Sequence, residues 1–267
     1  MPFNRVVQSK GYPLVSKEIS HVVHGGRRGQ PSCLRKLNGE KRDHGGEKSK
    51  YNCEKWSFLL DAPFEISDEC CDVMKKRPAK RYEKETGRYM ITAEMAEESQ
   101  LRQSAWLLNG CNGFELKRPK STPMAFWTEQ DVLKYLTMTE IPYAPVYGKI
   151  IPQDPQMTLL EEGQKLKTTG CDRTGCMFCG FGLTKEKGEN RFQKMKKTHP
   201  KLYKYCMEEP RVINAETGEE MFVGQKYKMG IVYELRRNLG DTEFDRRYKV
   251  SGGLGMQNVL EYLGLPY

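Results

Sequence analysis

PMAFWTEQDVLKYLTMTEIPYAPVYG, residues 123–148, is the stretch around which the rest of the chain can be ordered. Thr128 followed three residues later by Asp131 is a capping-box pattern, in which each side chain can accept the other residue's backbone N–H. Val132, Leu133 and Leu136 then share one helical face, so a short amphipathic helix is predicted. Ile141-Pro142 and Ala144-Pro145 end it, because proline lacks the N–H that a helix needs, and two turns lead into a loop.

Working upstream, RYMITAEM (88–95) reads as a buried strand and EESQLRQSAWLL (97–108) as a helix. Strand followed by helix is the alternation of an α/β fold. In the segment 55–87 a short helix or strand meets a turn at Ala62-Pro63, and a helix is entered near Ser67 or Asp68, either of which can cap it. Residues 1–24 suggest two short helical turns joined at Gly11-Tyr12-Pro13. Residues 25–50 are rich in Gly, Lys and Arg without an apolar period, which predicts a mobile basic loop. Downstream, GCDRTGCMFCG (170–180) precedes a basic amphipathic helix from about residue 190. Short β-like runs with a turn at AETGEE occupy 209–250, and a small helix, MQNVLEYLG, closes the chain.

Composition bounds the class. The 267 residues are 37 % hydrophobic and 30 % charged, with a formal net charge of +9. That is a polar-surfaced globular chain long enough for one large domain or two small ones. No run approaches the roughly 20 apolar residues that span a bilayer, and the N-terminus has no apolar leader, so cytoplasmic residence and no membrane partner are expected. In that compartment nine cysteines read as ligands, nucleophiles or buried apolar groups rather than disulfides. Twelve Lys and Arg stand against five Asp and Glu in residues 1–60, an anion-attracting end.

The ordered set Pro123, Trp127-Thr128, Asp131-Val132, Ile141-Pro142-Tyr143, Tyr147-Gly148 and Gly175-Cys176-x-x-Cys179 resembles the phosphoadenosine phosphosulfate (PAPS) reductase family of the adenine nucleotide α-hydrolase-like superfamily. A Glu-Ser-x-x-Arg element follows the predicted strand as Glu98-Ser99-x-x-Arg102. The resemblance implies a parallel sheet flanked by helices, with an adenine nucleotide, ATP or PAPS, at the carboxyl ends of the strands. Glu98, Ser99 and Arg102 are then nucleotide or anion contacts, although Ala93 and Met95 replace the Gly and Arg usual before Glu-Ser. A domain over 1–180 and a segment 181–267 holding a basic helix, a β-rich insertion and the C-terminal helix are expected, the fold class being this α/β domain with a Cys-rich C-terminal extension.

The family's phosphate loop, Ser-Gly-Gly-x-Asp-Ser, would lie upstream of everything matched. The sheet is therefore expected to be incomplete, and a separate N-terminal phosphate-loop fragment is a candidate partner. SGGLG at 251–255 lacks the Asp and the second Ser and reads as a turn. The thiol-dependent reductases' Glu-Cys-Gly-x-His motif has no counterpart, since Cys206 sits in KYCMEE.

Iron–sulfur members of the family ligate a [4Fe–4S] cluster with an adjacent cysteine pair and a later Cys-x-x-Cys. By that resemblance the ligands here are Cys70, Cys71, Cys176 and Cys179; four soft thiolates suit iron. Zinc is the alternative. Cys171, Cys176 and Cys179 are spaced C-x₄-C-x₂-C, and one of the pair could complete a Cys₄ site. Cys33, Cys53, Cys111 and Cys206 default to structural roles, the four histidines receive none, and Trp127 is expected to anchor a core. Lys17, Lys117 and Arg118 are candidate anion contacts. Two functions are therefore expected. One is adenine-nucleotide-dependent sulfur chemistry, with tRNA or DNA open as acceptors; the other is an inactive, zinc-stabilised binding module.

Overall fold

The computed structural model describes residues 1–156, 158–159, 163–171 and 174–267. The chain divides into two compact units. The first joins Met1–Pro78 to Met177–Tyr267, and the second is Ala79–Cys176.

The first unit opens with helix α1 (Phe3–Lys10), strand β1 (Leu14–Val15), α2 (Lys17–Arg27) and α3 (Pro31–Leu37). Ser16 caps α2 by accepting the Ile19 N–H at 3.1 Å. Of residues 25–50, whose composition predicts an open loop, 25–27 and 31–37 are helical, while 38–50 are turns and irregular backbone. Gly25 and Gly26 lie inside α2, where a Cβ would come within 2.6 Å of the Cys33 sulfur and 2.9 Å of Leu37 Cδ1. The glycines let α3 lie directly on α2, burying Cys33 and Leu37 at i and i+4. A 3₁₀ segment, Glu54–Asp61, completes this corner. The predicted helix after Ser67 begins at Cys70, runs through a π-helical turn at Asp72–Lys76 and continues as α4 (Arg77–Thr86).

In the second unit β2 (Met90–Ile91), α5 (Gln100–Asn109), β3 (Asn112–Gly113), β4 (Lys120–Ser121), α6 (Glu129–Thr139), β5 (Ile150–Pro152) and β6 (Leu166–Thr168) follow. The capping box forms as expected. The Asp131 N–H reaches Thr128 Oγ1 at 3.2 Å, and the Thr128 N–H reaches Asp131 Oδ2 at 2.8 Å. The expected buried strand shrinks to β2, whose Ile91 is 75 % exposed. It is the edge strand of the β2–β4–β3 sheet, and Met90 is half-buried. Trp127 is half-buried rather than a core anchor, with its ring edge-on to Tyr135 at 5.5 Å.

Back in the first unit come β7 (Gly180–Phe181), α7 (Arg191–Thr198), α8 (Pro200–Met207), β8 (Pro210–Asn214), β9 (Glu220–Met221), α9 (Lys228–Leu239), α10 (Asp241–Arg247), β10 (Tyr248–Gly252) and α11 (Met256–Tyr262). The AETGEE turn is present, with the Gly218 N–H on the Asn214 carbonyl at 2.9 Å. Residues 228–247, expected to be β-like, are helical instead. Met229, Val232, Tyr233 and Arg236 recur at the spacing of one helix face, and all are buried. Gly253 and Gly255 form a packing turn. The Leu254 and Gly255 N–H groups donate to the Tyr205 and Glu208 carbonyls at 2.9 and 2.7 Å.

The architecture is mixed α/β. Among the described residues the strands form four sheets of two or three strands, and parallel pairing occurs at β1–β7 and β2–β4. The parallel sheet expected from the resemblance is thus present as two short pairs. The main core gathers Val7, Tyr12, Leu14, Val22, Leu59 and Phe64 with Val212, Met229, Phe244, Leu254 and Leu260.

Candidate metal centre

Residues 12–15 organise the cysteine site. On one side the Tyr12 N–H donates to the Glu65 carbonyl at 2.8 Å, and the Ser67 N–H donates to the Tyr12 carbonyl at 3.1 Å. Those bonds fix the strand-like approach of residues 65–67 to Cys70. On the other side Leu14 and Val15 pair in parallel with Gly180 and Phe181, the residues immediately after Cys179. One short stretch of backbone therefore holds both arms that carry cysteines. Tyr12 is itself buried, its ring edge-on to Phe64 at 5.7 Å and its hydroxyl donating to the Leu254 carbonyl.

Cys70 and Cys71 begin the helical run, with their sulfurs 4.0 Å apart. Cys70 packs in a small apolar cluster with Val6 and Val73, flanked by Met74 and Phe181. Burial pushes the Cys70 thiol up to about 12, and negative charge on Cys71 and Cys179 pushes the same way. Cys179 thus lies within electrostatic reach of the pair. Among the described residues no two cysteines are joined in a disulfide. Among the described residues no three His, Cys, Asp or Glu side chains already form a cage for a metal ion.

Arg191 fixes the second arm. Its guanidinium donates to the Cys179 carbonyl and to the Phe181 carbonyl, each at 3.0 Å, and is oriented by Glu186 at 2.7 Å. The cation therefore braces the backbone on both sides of Gly180. Sequence reasoning missed it, because one arginine in a basic helix carries no distinguishing signal.

A second missed group is Glu65, which lies before Cys70 in the chain. Its carboxylate meets His24 Nδ1 at 3.0 Å, Arg28 Nη1 at 3.1 Å and Arg27 Nη1 at 3.3 Å. Burial pushes its pKa up, but the His24 and Arg28 bonds and the nearby charge of Arg27 outweigh burial and hold it below the ordinary value. His24 also reaches Glu69 at 3.5 Å, so it ties this network to the residue beside Cys70. The signal available was one acid in an apolar setting, Pro63-Phe64-Glu65-Ile66.

Cys171 and Cys176 belong to the second unit, and both are half-buried. The Cys171 N–H donates to the Val146 carbonyl at 3.0 Å. Asp172 and Arg173, between these two cysteines, lie outside the described residues.

Glu98, Ser99 and Arg102 are brought together at the start of α5. Ser99 Oγ accepts the Arg102 N–H at 3.3 Å as an N-cap, and the Arg102 guanidinium pairs with the Glu98 carboxylate. Arg102 also lines a cavity of about 30 Å³ with Met95 and Trp106. That volume accepts water but not a nucleotide, whose sites run to several hundred Å³. Lys17 is exposed at the start of α2.

A family model described as the phosphoadenosine phosphosulfate reductase domain matches residues 20–180, more than half of the chain. No curated protein and no solved structure matches. Among the described residues no helix is long and apolar enough to cross a membrane.

Proposed function

The chain belongs to the phosphoadenosine phosphosulfate reductase domain family, and we propose that it performs adenine-nucleotide-dependent sulfur chemistry, reductase-like or sulfurtransferase-like, with a [4Fe–4S] cluster. The observation that carries this reading is the convergence of Cys70, Cys71 and Cys179 through the pairings of residues 12–15. Cys176 is the other cysteine of the same Cys-x-x-Cys, three residues before Cys179 in sequence.

The donor set fits the group. It consists of soft sulfur atoms, free of disulfides, whose mutual repulsion as thiolates is relieved by a bound cationic centre. When bound, such a cluster supplies electrons or a polarising iron to a sulfur-containing substrate. The chain's own residues do the rest. Val6, Val73 and Phe181 exclude water from Cys70. Arg191 holds the Cys179 arm and adds positive charge near a centre that carries four thiolates. Arg102 receives the anionic group of ATP or PAPS by releasing Glu98, while Ser99 keeps the helix start in place.

A zinc-stabilised, catalytically inactive module is the second reading. The closed Glu98–Arg102 pair and the 30 Å³ cavity beside it favour it. Anaerobic purification followed by iron, sulfide and zinc analysis separates the two. The expected result is a brown protein containing iron and sulfide that loses them in Cys70→Ser and Cys179→Ser but keeps them in Cys171→Ser. One zinc, no iron and dependence on Cys171 would overturn the cluster.

A further inference from the structure

The second unit carries a strongly charged groove that neither the cysteine site nor the Glu98–Arg102 element uses. It is open, has a volume of about 600 Å³, and lies between α4 with its following turn and residues 117–119 before β4. Its cationic wall is Lys80, Lys84, Arg88, Lys117 and Arg118, and Tyr89 stands at its edge, 72 % exposed.

The groove's own carboxylate does not neutralise it. Glu83 is held by Arg118 through two bonds of 2.7 and 2.8 Å, a bidentate pair that occupies one acid and one base. Lys80, Lys84 and Lys117 form no ion pair among the described residues. Arg88 is oriented by the Tyr82 hydroxyl at 2.7 Å rather than by an acid. Four cations thus face one opening whose one lining carboxylate among the described residues, Glu83, is already bound to Arg118, an arrangement whose repulsion a bound polyanion relieves. Packing does not explain it either, since α4 has no buried residue.

The layout also selects the kind of anion. Lys80 and Lys84 are one helical turn apart on α4, and Arg88 continues the series beyond Gly87. The charges therefore form a row rather than converging on a point. A lone phosphate is usually gripped by backbone N–H groups or a helix N-terminus, and the cations here are lysine and arginine side chains from the body of α4, the turn after it and residues 117–118. A row of flexible cations beside an exposed aromatic ring suits a chain of phosphates bearing planar bases.

We propose that this groove binds single-stranded nucleic acid. The phosphodiester backbone lies along Lys80, Lys84, Arg88 and Lys117, and a base stacks on Tyr89. The proposal concerns a different surface from the cysteine centre and does not require the cluster to be present.

The test is fluorescence anisotropy of the full chain, as isolated anaerobically, with labelled mixed-sequence DNA and RNA oligonucleotides of about 20 nucleotides, at salt concentrations from about 50 to 200 mM. Wild-type binding should saturate and weaken as salt rises. Combined Lys80→Ala, Lys84→Ala and Lys117→Ala should weaken it at least about tenfold and reduce the log–log salt slope by about 2, as three fewer phosphate contacts require. Tyr89→Ala should weaken it by about fivefold or more with the slope unchanged. These side chains are exposed, and unchanged circular dichroism confirms that each variant is folded.

The proposal is overturned by absence of saturable wild-type binding, or by a triple variant with wild-type affinity and slope. Equal affinity for a duplex of the same sequence overturns the single-strand assignment. Displacement by polyglutamate as efficient as by unlabelled oligonucleotide makes the groove a docking site for acidic protein instead.

Discussion

Glu65 is 7 % exposed, and its carboxylate faces His24, Arg27 and Arg28. A buried carboxylate among cations is stabilising only while charged, and its removal leaves buried positive charge without a partner. Glu65→Gln is therefore expected to cost about 3 kcal/mol at neutral pH in urea denaturation. Its folded-state pKa lies below the ordinary 4.5. The contribution is thus fully present above about that value and is lost as pH falls through the folded-state pKa. The stability difference between wild type and Glu65→Gln should shrink on acidification below pH about 4.5; a constant difference down to the acid transition would count against this role. None of this network follows from spacing, because its members come from sequence positions 24–28 and 65, and only folding makes them neighbours.

At the scale of elements, local chemistry and packing contribute differently. The cap of α6 was legible because Thr128 and Asp131 act on each other within one turn. The helical character of α9 was not, since its apolar face alternates with Tyr, Glu and Arg and suits a strand until Val232 and Arg236 find the core. Gly230 shows how tightly α9 is seated. A Cβ there would lie 2.1 Å from the Pro63 carbonyl oxygen, which belongs to backbone and cannot swing aside. Gly230→Ala should destabilise by about 1–3 kcal/mol, read as a drop in Tm. Gly45→Ala, with nothing within 4 Å of the added carbon, should stay within about 0.5 kcal/mol. Equal melting temperatures for the two variants would contradict this seating of α9.

For the whole molecule, the decisive fact is that one core draws on both ends of the chain. Val7, Tyr12, Leu14 and Val22 bury themselves in a cluster that also holds Val212, Met229, Phe244, Leu254 and Leu260. A chain ending at residue 180 should therefore fail to unfold cooperatively in heat or urea and should bind dyes specific for exposed apolar surface. A sharp transition with native-like near-ultraviolet dichroism would show that residues 1–180 are self-sufficient. The sequence by itself determined the family, through the ordered motifs from Pro123 to Cys179, and the start of α6. These are local patterns of residue type and spacing that do not depend on what packs against them. It also singled out Cys70, Cys71, Cys176 and Cys179, but as points on a line. Tertiary structure alone decided that residues 12–15 would pair with both cysteine-bearing arms. It likewise decided that two glycines of the supposed basic loop would lie within a helix, and that Lys117 would face Lys80 and Lys84 across a groove. Such choices depend on which distant surfaces exclude water together, and that information is absent from any short window of sequence.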